Sequence, residues 1–291
     1  MTRTALLVRN GGKPADWLAP VIARLADAGV AVRDNPTASV EACCEAIRRE
    51  GQSADAIIVA GGDGTLAGAA PALIEAKKPL GVLPLGTAND LARTLAIPAD
   101  PLRAAGIIAA GKTRRIDLGT ANGRPFFNVA SVGLAADIAR SLQDGEKRAL
   151  GRFAYAAAAA RVLLRARQFH AEIEAHGEGG DGVLHTRSYQ VAIGNGRYHG
   201  GGVAVREDAE IDDGRLMLYS LEPGSLWKVA LLAPLFRRGR HARWDEVRTA
   251  TARAMTLRTD RPMPVNVDGD IVTETPLELG VLPRAIEVFA P

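Results

Sequence analysis

The chain has 291 residues, of which 47% are hydrophobic and 24% charged, and a formal net charge of +3; the length suits one large domain or two ordinary ones, and the composition a folded chain rather than a disordered one. Basic and acidic residues balance in both halves, so no concentrated basic surface points to nucleic acid. No run of ~20 apolar residues is available to span a membrane, the apolar start is too short for a signal peptide, and the two cysteines, Cys43 and Cys44, are neighbours, which favours a reducing, cytoplasmic setting and no zinc site.

The first 120 residues alternate strand and helix signals. TALLVRN reads as a strand ending at Asn10, and DWLAPVIARLADAG as a helix stopped by Gly29. VAVRD is a second strand. TASVEACCEAIRREG is a helix with Thr37 and Ser39 as candidate caps and Gly51 as its stop. DAIIVAGG and PLGVLPLG are the third and fourth strands, followed by the helices TLAGAAPALIEA and ANDLARTLAI. This order predicts a three-layer α/β domain on a mainly parallel sheet over residues 1–120.

Beyond residue 120 the pattern turns to strands and hairpins: PFFNVASVG, FHAEIEAHG, HTRSYQVAIGNG, GRLMLYSLE, RTATARAMTLRTD, MPVNVDGDIV and AIEVFAP. Helical stretches near 134–167 and 224–240 interrupt them, and 174–185 reads as an exposed hairpin loop. The expectation is a second, antiparallel β-sandwich-like domain over residues 121–281.

IIVAGGDGTLAG carries the first chemical signal. At the carboxyl end of a parallel strand, Gly61, Gly62 and Gly64 let the backbone approach a ligand, and the next helix presents its N–H groups to phosphate. Asp63 would repel bare phosphate, but becomes sensible beside a Mg²⁺ ion. The following strand repeats the design with Gly86, Thr87, Asn89 and Asp90, and RRIDLG brings Asp117 to a third loop. Three aspartates at successive strand ends argue for a metal–phosphate site. A tight turn with helix caps is the structural alternative for each loop taken singly.

GGDGT together with PLGTANDLAR resembles the diacylglycerol kinase catalytic-domain family, which includes soluble bacterial lipid kinases and is related to sphingosine and ceramide kinases. RRIDLG, FFNVASVGLAADI, GNGRYHGGGVAVREDAEIDDGRLML and the tail VDGDIVTETPLELGVLPRAIEVF extend the resemblance over nearly the whole chain. It implies two domains, with the strand near 282–290 returning to the first. It implies ATP lying against Asn10, Thr37, the loop Gly61, Gly62, Asp63, Gly64, Thr65, Leu66 and Ala67, then Gly86, Thr87 and Asn89. Asp63, Asp90 and Asp117 would organise Mg²⁺, and AEIDDGRLML would hold a structural Mg²⁺ through Glu210, Asp213 and Arg215.

The family's general base is usually Glu in a DGE segment; here Asp270 stands there, with Asp268 as a fallback. Ala67 and Gly68 replace a common Asn-Glu pair. The implied reaction is ATP- and Mg²⁺-dependent phosphorylation of a diacylglycerol-like lipid hydroxyl, with Asp63 and Asp270 catalytic. The stretch 226–244, with Trp227, Leu231, Leu232, Leu235 and Phe236 among Arg237, Arg238, Arg240 and Arg243, is a candidate for peripheral contact with the inner face of a membrane. A homodimer stays open, as do an NAD kinase-like enzyme, a small-metabolite kinase and a non-catalytic nucleotide- or lipid-binding protein.

Overall fold

In the computed structural model, residues 3–12, 15–143, 166–177, 182–199, 202–204, 209–222 and 246–291 are described. The described chain starts with β1 (Arg3–Asn10), α1 (Leu18–Asp27), β2 (Val30–Thr37), α2 (Val40–Glu50), β3 (Ala56–Gly61), α3 (Asp63–Ala76) and β4 (Leu80–Pro84). Then follow α4 (Asp90–Thr94), α5 (Pro101–Ala110) and β5 (Thr113–Ala121). The chain divides into two units, Met1–Leu118 with Leu282–Pro291, and Gly119–Val281.

In the first unit the sheet runs β2-β1-β3-β4 with parallel neighbours. Ile57, Ile58, Val59, Leu80, Val82 and Leu83 are buried because helices cover both faces, α1 packing with α5 and α2 with α3. Ser39, not Thr37, caps α2, accepting from the Ala42 N–H at 3.2 Å, while Thr37 is the last residue of β2. The helix expected at ANDLARTLAI is only five residues long: Ala96 turns left-handed at φ +56 and Pro98 lies ahead. The helix α5 escaped the sequence reading although its signals are present. Asp100 accepts from the Arg103 N–H at 2.8 Å, Pro101 starts the helix, and Gly111 closes it at φ +75.

The second unit continues with β6 (Arg124–Phe126), β7 (Val129–Gly133), α6 (Leu134–Gln143), β8 (Phe169–His176), β9 (Gly182–Ser188) and β10 (Gln190–Gly194). After the short pair β11 (Tyr198–His199) and β12 (Val203–Ala204) come β13 (Leu216–Leu221), β14 (Val247–Ala252), β15 (Ala254–Thr259), β16 (Pro264–Val267), β17 (Asp270–Glu274) and β18 (Leu277–Phe289). One antiparallel sheet has the order β14-β13-β10-β7-β16-β17. Facing it are β15, β8 and β9 with the first residues of β18, paired from Leu277 to Gly280. Val132, Ile193, Leu218 and Val265 of one layer share a core with Phe169, Ile173, Leu257 and Leu279 of the other, which is a β-sandwich.

The segment RTATARAMTLRTD, read as one strand, is two: β14 and β15 belong to different sheets and part at Arg253. The last residues of β18 belong to the first unit, where Val288 pairs in parallel with Leu80. The expected helical stretches beyond residue 143 and at 224–240, and the membrane-contact stretch 226–244, lie outside the described residues, as do residues 178–181 of the expected loop.

Candidate active site

The carboxyl edge of the parallel sheet gathers the first set of expected residues. Register pairs Thr37 with Asn10, Arg9 with Ala60 and Gly61 with Pro84, so the loops after all four strands open at one edge. Two of these loops touch backbone to backbone. A Cβ on Gly62 would come within 2.9 Å of the Gly86 Cα, and one on Gly86 within 2.6 Å of the Gly62 Cα. The Leu85 N–H donates to the Gly61 carbonyl at 2.9 Å. At Gly61 itself a Cβ would meet the Thr65 side chain at 2.7 Å. Gly64 differs: a Cβ there would meet nothing within 4 Å, so packing inside the chain gives no reason for glycine.

Gly62 precedes α3 without a side-chain cap, which leaves first-turn N–H groups for a ligand. Thr65, Leu66 and Ala67 complete that turn, with the Thr65 and Leu66 N–H groups bonding the Gly62 carbonyl. Asp63 reaches the neighbouring loop, where its Oδ1 accepts from the Leu91 N–H at 3.2 Å. Asn89, left-handed at φ +51, grips Gly86 twice: its Oδ1 accepts from the Gly86 N–H and its Nδ2 donates to the Gly86 carbonyl, each at 2.9 Å. Thr87 is exposed between them, and Asp90 is buried at the start of α4.

Asn10 closes its own turn by accepting from the Gly12 N–H at 2.9 Å, and Thr37 donates its hydroxyl to the Arg9 carbonyl at 3.1 Å. Beside them Arg9 holds Asp34 in a two-pronged pair at 2.8 and 2.7 Å, and those hydrogen bonds raise the guanidinium pKa further. Asp117 is 2% exposed and accepts from the Arg284 backbone N–H. The α2–α3 contact accounts for Gly68, where a Cβ would fall 2.2 Å from Val40 Cγ1.

In the second unit the segment VDGD forms the turn between β16 and β17. Val267 pairs with Asp270 across Asp268 and Gly269, whose φ values are +49 and +106; two successive positive φ values are the hairpin turn that Asp-Gly favours. The two aspartates part company there. Asp268 is buried, and its carboxylate accepts from the N–H groups of Phe127 at 2.7 Å and of Asn128 and Val129, each at 2.9 Å. Asp270 is exposed, and its carboxylate takes no hydrogen bond from the described residues. A carboxylate committed to three donors is an anchor, and an unengaged one is available as a base.

Asp213 accepts from the Arg215 N–H at 2.9 Å in its own turn, and Glu210 is exposed nearby. Among the described residues no group of three or more His, Cys, Asp or Glu side chains is placed to hold a metal ion. The expected aspartates therefore form no protein cage; Mg²⁺ at such a site would take most of its ligands from phosphates and water.

Residues 5–121 match the family model described as the diacylglycerol kinase catalytic domain. Residues 128–290 match the YegS C-terminal NAD kinase beta sandwich-like domain. The chain belongs to the diacylglycerol kinase catalytic-domain family. Membership makes it a kinase with an alcohol acceptor. A diacylglycerol kinase of Staphylococcus saprophyticus is 30% identical over 277 residues, covering 94% of this chain and 90% of the relative. One of Staphylococcus aureus strain JH9 is 30% identical over 253 residues, covering 86% and 79%. A crystal structure of a diacylglycerol kinase from Bacillus anthracis str. Sterne superposes with a TM-score of 0.80 at 23% identity, covering 100% of this chain and 97% of that one; this likeness is one of fold.

Asn128 and Asn195 lie in motifs that carry the family resemblance, yet neither is assigned a role from sequence. Asn195 donates its backbone N–H to the Asn128 carbonyl and its Nδ2 to the Phe127 carbonyl, each at 3.0 Å. The available signal was a polar residue interrupting apolar strands, in PFFNVASV and VAIGNG.

Proposed function

We propose that the chain transfers the γ-phosphoryl group of ATP to a hydroxyl of a diacylglycerol-like lipid. The observation that carries this reading is the mutual contact of Gly62 and Gly86 beside the uncapped start of α3. It fits a phosphate cradle, because two loops without side chains and a helix N-terminus offer backbone N–H groups to oxyanions. Gly64, where only a ligand would need the missing Cβ, supports the same reading.

In this reading the 61–67 loop, Gly86, Thr87 and Asn89 hold the nucleotide phosphates, with Asn10 and Thr37 flanking them at the same sheet edge. Asp63, Asp90 and Asp117 would order the water shell of a bound Mg²⁺ and the loops around it. Mg²⁺ would neutralise the phosphate charge. Asp270 accepts the proton of the lipid hydroxyl. The lipid oxygen forms a bond to the γ-phosphorus as the bond to the ADP oxygen breaks, and ADP leaves with that electron pair. Glu210, Asp213 and Arg215 would lie in the segment that holds a structural Mg²⁺.

The lipid substrate calls for contact with a membrane surface; among the described residues no helix is long and apolar enough to cross one. The test is ATP consumption by the purified chain with Mg²⁺ against diacylglycerol, phosphatidylglycerol, ceramide, sphingosine and NAD, with Asp63→Ala as control. Turnover on a lipid that the variant loses is expected. Turnover on NAD alone, or ATP binding without turnover on any acceptor, would overturn the lipid-kinase reading.

A further inference from the structure

Buried side-chain atoms of the second unit that lack a hydrogen-bond partner include Asn128 Oδ1 and Arg197 Nε, with Ser131 Oγ and Glu222 Oε1. Asn128 is 3% exposed, and its Oδ1 accepts no hydrogen bond. The Nε of Arg197 is buried and donates none. The Arg197 guanidinium lies over the Tyr198 ring, 5.4 Å from its centroid, and among the described residues no carboxylate pairs with it. A buried acceptor without a donor is costly, and such a group in a folded chain calls for an explanation. Arginine does not escape by losing its proton.

Neither group is an accident of a loose loop. All six backbone N–H and C=O groups of Phe127, Asn128 and Val129 are taken by two residues. The Asp268 carboxylate receives the three N–H groups, the Asp268 N–H donates to the Val129 carbonyl, and Asn195 bonds the carbonyls of Phe127 and Asn128. Asn195 thus fixes the backbone at Asn128 two residues before Arg197. Asp268 fixes it two residues before Asp270. A tripeptide saturated in this way leaves only the Asn128 side chain to receive an outside donor. The arginine two residues beyond its clamp is equally ready for an outside anion.

We propose that Asn128 and Arg197 form a subsite for a phosphate-bearing alcohol. Arg197 takes a phosphate oxygen, and Asn128 Oδ1 takes the hydrogen of a neighbouring hydroxyl. This rests on the kinase reading and deepens it, because an acceptor recognised here carries an anionic headgroup as well as a hydroxyl. The phosphate has two sources, the headgroup of the acceptor lipid or the nucleotide, and both present the same oxyanion. Stacking on Tyr198 holds the guanidinium without neutralising it, which keeps its full charge for the ligand.

Equilibrium titration of the full chain with glycerol 3-phosphate reads both groups, and inorganic phosphate reads Arg197 alone. Arg197→Met is expected to weaken both probes about tenfold or more, as loss of a charge-assisted bond implies. Asn128→Leu is expected to weaken glycerol 3-phosphate and leave inorganic phosphate unchanged. Arg197→Lys, which keeps the charge and loses the fork, falls between and serves if the methionine variant does not fold. Equal affinities in wild type and both Arg197 variants, or no binding of either probe by the wild type, overturns the subsite.

Kinetics separate the sources. A rise in KM for phosphatidylglycerol, with KM for diacylglycerol and ATP unchanged, assigns the phosphate to the lipid headgroup. A rise in KM for ATP with either acceptor assigns it to the nucleotide. If neither KM moves, the subsite falls. Arg197-dependent binding of glycerol 3-phosphate in a chain that turns over no lipid leaves the subsite standing and removes the kinase reading instead.

Discussion

Asp117 and Arg284, 167 residues apart, are joined by a 2.6 Å hydrogen bond from the Arg284 backbone N–H to Asp117 Oδ1. Arg284 is left-handed at φ +52, a conformation that costs a side-chain-bearing residue something, and Asp117 is 2% exposed. The bond thus anchors the last strand where it joins the first unit. Asp117→Ala should lower stability by about 1–3 kcal/mol, the cost of leaving a buried partner unsatisfied. Asp117→Asn keeps an acceptor oxygen and most of the stability, but loses the charge assigned to ordering the cation. Denaturant melts and turnover on the two variants check this. An alanine variant as stable as wild type would show that Asp117 is no anchor.

The aspartates of the VDGD turn should respond in opposite ways. Asp268→Asn replaces a three-fold acceptor by an amide that points its own N–H groups at donors, so it should destabilise the chain by about 1–3 kcal/mol or more. The Asp270 carboxylate is exposed and takes no hydrogen bond from the described residues, so Asp270→Asn should leave stability within about 0.5 kcal/mol. Its turnover should fall about 10²–10⁴-fold, as removal of a general base does. Paired melting and rate measurements decide, and a fully active Asp270→Asn chain would strike out its role as base.

Two glycines of the first loop, Gly62 and Gly64, also separate packing from binding. Gly62→Ala drives a Cβ against the Gly86 backbone at 2.9 Å, where no flexible side chain can give way. It should cost about 1–3 kcal/mol, as overpacking does. Gly64→Ala meets open space and should leave the melting curve almost unchanged. Its methyl group would crowd a phosphate at the helix start, so KM for ATP should rise about tenfold, equivalent to about 1.4 kcal/mol. A Gly64→Ala chain with wild-type affinity for ATP would count against the cradle.

Much of this fold can be read from the sequence because local signals agree with tertiary ones. Apolar runs ending in glycine, such as IIVAGG and VLPLG, are buried strands with their loops at one sheet edge. The reading failed where a long-range contact decides. RTATARAMTLRTD has continuous strand propensity, and only pairing with β13 on one side and β8 and β18 on the other divides it at Arg253. The distinction between Asp268 and Asp270 was equally hidden. Both follow the same hairpin signal, and the three N–H donors that claim Asp268 lie about 140 residues earlier.

Cys43 and Cys44 offer a test that requires no ligand. Cys43 is 2% exposed on the buried side of α2, and burial, with a smaller contribution from Cys44, pushes its thiol pKa from 9.0 up to about 12. Cys44 is partly exposed, lies 3.2 Å from the Gly68 carbonyl, and is raised mainly by burial. The folded pKa of Cys43 exceeds the unfolded one, so the linked stability is fully present below pH 9. It is lost as pH rises from 9 towards 12, because the unfolded chain releases its proton first. Denaturant melts between pH 8.5 and 10.5 should therefore show falling stability, with a shallower slope in Cys43→Ala. In the native chain at pH 8 a thiol reagent should modify Cys44 slowly and Cys43 only after unfolding, since the thiolate is the reactive form. Rapid native labelling of Cys43, or the same alkaline slope in Cys43→Ala, would contradict the burial of this thiol on the inner side of α2.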